Sequence, residues 1–140
     1  MDINVCMVRI RSMVRKQLVE YFANKLDIQL VVLFGSQAHQ TAKNDSDVDV
    51  ALLANKSMST DELIELQLAL SSKLSKEVDV VDLSVSHGAI LDEVFGRGDL
   101  LINRNPELYA KLLKRMWYEK EDDARFTQKT YEERLRIWQK

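Results

Sequence analysis

Two valine-rich runs, DVDVALL at 47–53 and EVDVVDLS at 77–84, flank SMSTDELIELQLALSSKLSK, whose apolar residues recur at three- and four-residue spacing. The first and last read as strands and the middle as a helix. A strand–helix–strand crossover of this length sets its two strands parallel in one sheet. That requirement narrows the architecture more than any other feature of the chain. Ser59, with Glu62 three residues later, is a capping-box signal for the start of the helix.

The remaining segments fit around this unit. Ile10, Met13, Val14, Gln17, Leu18, Tyr21 and Phe22 mark an amphipathic helix from about 8 to 26. QLVVLF at 29–34 is short, continuous and apolar, and reads as a buried strand ending at Gly35. Ser86 is placed to cap a short helix bearing Ile90, Leu91, Val94 and Phe95, which GRG at 96–98 ends. DLLIN reads as a small edge strand. Asn105-Pro106 opens a long helix, with Pro106 in its first turn and an apolar stripe of Leu108, Tyr109, Leu112, Leu113, Met116 and Trp117. A charged break, EKEDD, precedes a last helical stretch with Tyr131, Leu135 and Trp138. The expectation is one α/β (α+β) domain over 1–140: a small mixed sheet flanked by helices, a core at about 9–103 and a helical tail at about 106–140.

Composition excludes several classes. With 46% hydrophobic and 30% charged residues, four glycines and one proline, the chain reads as folded. No apolar run approaches the ~20 residues of a membrane span. The first residues lack the apolar core of a signal peptide, so a cytoplasmic setting is expected. Cys6 is the only cysteine, which excludes an internal disulfide and a cysteine zinc cluster. A net charge of −2 argues against general nucleic-acid binding. Arg9, Arg11, Arg15, Lys16 and Lys25, against Glu20 alone, form either a solvated helix face or a docking surface for an acidic partner.

The chemistry concentrates in FGSQAHQTAKNDSDVDVALL at 34–53. Asp47 and Asp49, two apart on a strand, project to one face roughly 6 to 7 Å apart. Two such carboxylates stay ionised together when cations lie between them, and magnesium, hard and oxygen-seeking, suits the site. Gly35 lets backbone approach a ligand closely, and successive amides there, with the Ser36 hydroxyl, can form an anion-binding nest. A plain hairpin with acidic ends that deter edge pairing is the alternative reading. His39 and His87 lack metal-ligand spacing, and a solvated and a structural role suit them better.

Gly-Ser, ten residues, then Asp-any-Asp resembles the signature of the polymerase-β-like nucleotidyltransferases, over roughly residues 9 to 103. The small size resembles the minimal nucleotidyltransferase (MNT) antitoxins of the HEPN/MNT type. The resemblance implies a nucleoside triphosphate held with magnesium through Ser36, Asp47 and Asp49, a third carboxylate, and a site of two metals. It further implies an antitoxin of a type VII-like pair, which moves AMP from ATP to a tyrosine of a HEPN-domain ribonuclease toxin and silences it. Alternatives are transfer to a small-molecule acceptor, as in aminoglycoside nucleotidyltransferases, and neutralisation of the toxin by contact alone. Many relatives continue the turn as Gly-Ser-Arg-Ala-Arg-Gly, where this chain has Gln37, Ala38, His39 and Gln40. Lys43, in the same loop, is the candidate replacement for the missing basic contact.

Asp79 and Asp82 compete for the third carboxylate. In parallel strands Asp79 starts level with Asp47 and Asp49, whereas Asp82 lies about 10 Å further on and faces the other way. Asp79 is the choice, as metal ligand or as base for the incoming hydroxyl. The tail from about 119 to 140 is expected to dock on the partner or on a second subunit. Trp117, Tyr118, Tyr131 and Trp138 then serve either a partner-binding stripe or intramolecular packing.

Overall fold

The computed structural model describes residues 3–35, 47–86 and 88–119, with side chains from residue 13 onward. The elements run α1 (Ile3–Phe22), β1 (Ile28–Phe34), β2 (Val48–Ala54), α2 (Thr60–Leu74), β3 (Val78–Asp82), α3 (Ala89–Arg97) and β4 (Asp99–Asn103). A further helix, α4, spans 106–119. The sheet order is β3-β2-β1-β4. The crossover pair β2 and β3 is parallel, and β1 is antiparallel to both β2 and β4.

Strand alternation sorts the apolar side chains into two layers. One face gathers Val31, Leu33, Val48, Val50, Leu52 and Val78 under Val14, Leu18 and Phe22 of α1 and Leu70 and Leu74 of α2. The other gathers Leu30, Val32, Ala51 and Leu53 under Leu91 and Val94 of α3 and Leu112 and Met116 of α4. Each fully buried leucine or phenylalanine contributes about 1.5–3 kcal/mol relative to exposure, so both layers are needed to hold the sheet. The register of β1 against β2 shifts between Ile28 and Leu30, which puts Ile28 in the first layer and Leu30 in the second.

Caps and edges carry the local detail. Ser59 caps α2 by accepting from the Glu62 amide at 3.1 Å, and Asn105 Oδ1 accepts from the Leu108 amide at 3.2 Å to open α4. The free edge of β3 is covered from α2: Ser71 Oγ accepts from the Val78 amide and Gln67 Oε1 from the Val80 amide, at 3.2 and 3.1 Å. Those two bonds occupy amides that would otherwise recruit another strand. Arg104, just past β4, donates to the carbonyls of Phe22, Ala23, Lys25 and Ile28. One guanidinium thereby adds charged donors to the carbonyls at the end of α1, two of which also accept from backbone amides, and clasps that turn to β4.

Two expectations need correction. Ser86 does not cap α3: Gly88, at φ 60°, stands at the cap position without a side-chain bond, and the Ser86 hydroxyl donates to the Asp82 carbonyl at 2.7 Å. Trp117 does not belong to the buried stripe of α4, since it is 66% exposed while Leu112 and Met116 are buried. Three- and four-residue spacing permits either position, and the second layer takes in Leu112 and Met116, with Leu108, Tyr109 and Leu113 packed against it. Among the described residues no helix is long and apolar enough to cross a membrane. The basic face of the first helix is partly engaged: Arg15 pairs with Asp99, and Lys25 lies over the Tyr21 ring at 4.8 Å. The tail beyond 119 lies outside the described residues.

Candidate active site

The site grows from the ends of three strands. β1 delivers Phe34 and then Gly35, and Phe34 pairs directly with Asp49 of β2. On its other side Asp49 pairs with Asp79 of β3. Paired neighbours in a sheet lie about 4.8 Å apart, so the two carboxylates start from adjacent backbone positions. Asp49 and Asp79 share the face of Ala51 and Val81, the layer covered by α3. Asp47 is exposed just before β2, Asp49 is half-buried, and Asp79 is exposed.

Gly35 has φ +71°, in the region that favours glycine, and a Cβ built there would overlap Oδ2 of Asp49. The Asp49 carboxylate thus occupies the space a side chain at 35 would take, which ties the turn to the acid. This adds to the expected close approach of backbone to ligand, since the first group to approach is the protein's own carboxylate.

Electrostatics marks Asp49 as the centre. Burial raises its carboxyl above the ordinary carboxylate range, and the charges of Asp79, Asp47 and Glu93 raise it further. Among the described residues no hydrogen bond or ion pair joins Asp49 or Asp79 to a cationic side chain. Three or more His, Cys, Asp or Glu side chains are nowhere drawn into a closed ligand cluster among those residues. The acids act on one another through charge while standing apart, as like charges do. All-oxygen donors, negative and on rigid strand ends, fit a hard cation such as magnesium.

Asp82 belongs elsewhere. It is 8% exposed, pairs with Leu52 rather than with the strand starts, and its Oδ1 accepts from the Ser84 amide at 2.9 Å and the Ser84 hydroxyl at 2.8 Å. Its carboxylate closes the turn after β3. Ser36 and Lys43, with His39 and the rest of the loop, lie outside the described residues, as does His87. Sequence reasoning missed Glu93. Its helix was read from apolar residues alone, and the only available signal was an acid lodged between the buried Leu91 and Val94. An open hollow of about 760 Å³, lined in part by Tyr21, Lys25, Ile28, Ala54, Met58 and Leu66, lies at the opposite end of the sheet and includes none of Asp47, Asp49 and Asp79.

Comparison with known proteins gives concordant matches. A family model described as "Polymerase beta, Nucleotidyltransferase" matches residues 16–107. The protein adenylyltransferase MntA of Shewanella oneidensis is 31% identical over 103 residues, which are 74% of this chain and span 63% of the length of that protein. A crystal structure of a toxin–antitoxin with AMP-PNP superposes with a TM-score of 0.72 at 24% identity, covering 86% of this chain and 98% of that one. The structure of a tri-AMPylated Shewanella oneidensis HEPN toxin in complex with MNT antitoxin gives a TM-score of 0.65 at 24% identity, covering 89% and 98%. At these identities the structural likeness establishes a shared fold.

Proposed function

The chain belongs to the polymerase β nucleotidyltransferase family, and from that premise we propose that it is an antitoxin that transfers AMP from ATP to a HEPN-domain ribonuclease toxin. The observation that carries this reading is the pairing of Asp49 with Asp79 across parallel strands, beside a glycine turn shaped around the Asp49 carboxylate. The named activity of the Shewanella relative and the AMPylated toxin held by a fold neighbour supply the acceptor class. A cytoplasmic setting, where ATP and magnesium are abundant, suits this role.

In this reading Asp47, Asp49 and Asp79 hold magnesium. When bound, the metal withdraws charge from the triphosphate and favours departure of pyrophosphate. Backbone amides at Gly35-Ser36, the Ser36 hydroxyl and Lys43 cradle the phosphates. An acceptor hydroxyl, a tyrosine of the toxin, attacks the α-phosphorus; the new P–O bond forms as the bond to pyrophosphate breaks. Its proton passes to Asp79, which is exposed and stands on β3 at the sheet edge. The tail from about 119 onward docks on the toxin, and the last described turns of α4 before it expose Trp117 and Tyr118.

Transfer to a small molecule is the second reading, and contact-only neutralisation the third. The intact carboxylate set counts against the third. The test is incubation of the chain with labelled ATP, magnesium and a cognate HEPN protein. Label on a toxin tyrosine, with loss of RNA cleavage, is the expected result. Neutralisation without label would sink the enzymatic reading.

A further inference from the structure

We propose that Gln67 and Ser71 of α2 are positioning residues for AMP transfer, holding the β3 backbone on both sides of Asp79 and so setting its carboxylate against Asp49. The inference rests on the nucleotidyltransferase reading of Asp49 and Asp79, and extends the machinery to a helix that carries neither acid.

The backbone of β3 is the first argument. The Val48 amide donates to the Glu77 carbonyl at 2.9 Å, and the Leu83 amide to the Leu52 carbonyl at 2.8 Å. Backbone groups of successive strand residues face opposite ways. Those of Asp79 therefore turn towards β2, as at Glu77 and Leu83, while the amides of Val78 and Val80 point to the free edge. There Ser71 Oγ accepts from the Val78 amide at 3.2 Å and Gln67 Oε1 from the Val80 amide at 3.1 Å. The two edge bonds straddle Asp79, and β2 holds it from the other side. Both bonds fall at the start of β3, the end that lies level with Asp49.

The load on that strand is the second argument. Asp79 is exposed on an edge strand of five residues, and its paired neighbour on β2 is another acid, Asp49. Like charges on paired positions push the strands apart. A short strand with a neighbour on one side yields to such a push by shifting outwards, and bonds to the two flanking amides oppose that shift. Gln67 and Ser71 stand one turn apart, half-buried beside Leu70 and Leu74, whose burial fixes α2 against the sheet. Their grip on β3 is therefore as firm as the core beneath it. A reacting group displaced by about 1 Å can lose about 100-fold in rate, so a small slip of β3 reaches the transfer step.

The experiment measures transfer from labelled ATP to a cognate HEPN protein by the full-length chain, with amide hydrogen exchange followed in parallel. Gln67→Met combined with Ser71→Ala should speed exchange at Val78 and Val80, lower kcat about tenfold and leave KM for ATP within about twofold. Gln67→Glu and Ser71→Thr, which keep an acceptor oxygen, should stay within about threefold of the parent. Asp82→Ala, a destabilised variant of the same strand, should keep kcat within about twofold. A double variant with kcat within about twofold of the parent, or with unchanged exchange at the two amides, would overturn the proposal and leave Asp79 in its role. A loss as large in Gln67→Glu and Ser71→Thr, or in Asp82→Ala, would assign the effect to packing or stability and also overturn it. Should the double variant not fold, the same outcomes are read from Gln67→Met and Ser71→Ala singly. If Asp79→Asn transfers AMP as the parent does, the site reading itself fails, and the proposal falls with it.

Discussion

Gly35 and Asp49 occupy one shared space, so neither can change alone. Gly35→Ala should cost about 1–3 kcal/mol in stability, because it strains a positive φ and displaces the Asp49 carboxylate. Transfer should fall by more than tenfold, by about 1.4 kcal/mol or more of lost transition-state stabilisation. Denaturant melts and a labelled-ATP assay check both; an alanine variant of parental stability would mean the turn is not held as described. Asp49 itself makes a pH prediction. Its folded pKa is raised by burial and then by Asp79, Asp47 and Glu93, so the folded chain binds more protons than the unfolded one between the two pKa values. Stability from this group is therefore full below the unfolded pKa and is lost as pH rises through the folded one. Metal-free Asp49→Asn should melt above the parent at about pH 7, and the gap should close towards about pH 3. A gap independent of pH would show that charge is not its source. Asp82 offers the contrast: Asp82→Ala loses the Ser84 bonds and about 1–3 kcal/mol, yet transfer should remain within about twofold. Asp79→Asn should abolish transfer and still bind ATP.

At the level of elements, the β2-α2-β3 crossover explains why so much could be read in advance. Its direction follows from chain length and handedness alone, so alignment of Asp49 with Asp79 needs no knowledge of packing. Ser59 and Asn105 were legible for a similar reason, because a cap acts within three residues of itself. The start of α3 was not, since Gly88 takes a positive φ that hydropathy does not encode and Ser86 turns back to Asp82 instead. Nor was Glu93, whose charge reaches Asp49 only when α3 is laid across β1, β2 and β3, all earlier in the chain. Spacing likewise cannot tell Trp117 from Met116, as both fall on the apolar side of α4 and only one finds a layer beneath it. The Arg104 clasp yields the prediction at this scale. Arg104→Met should cost roughly 1.5–3 kcal/mol, the worth of hydrogen bonds to a charged group, and raise amide exchange at the end of α1. Unchanged exchange there would remove the clasp from the account.

For the molecule as a whole, the carboxylates sit on rigid strand ends, while the described part of α4 ends in exposed Trp117 and Tyr118. Deleting 122–140 should leave ATP binding intact and weaken affinity for the HEPN partner, as measured by calorimetry; unfolding of the truncated chain with partner affinity preserved would place the tail in the core. The Arg104 clasp also has a temporal meaning. Gly35, Asp47, Asp49 and Asp79 can assemble once the first 83 or so residues are available, through β1–β2 and β2–β3 pairing. The contacts of Arg104 with Phe22 and Ile28 close separations of 82 and 76 residues, among the longest loops in the chain. Closing such loops comes late, after nearer contacts have lowered its entropic cost. A chain emerging from the ribosome would thus gather its acids before it is latched. Arg104→Met should accordingly speed unfolding and leave the folding rate almost untouched.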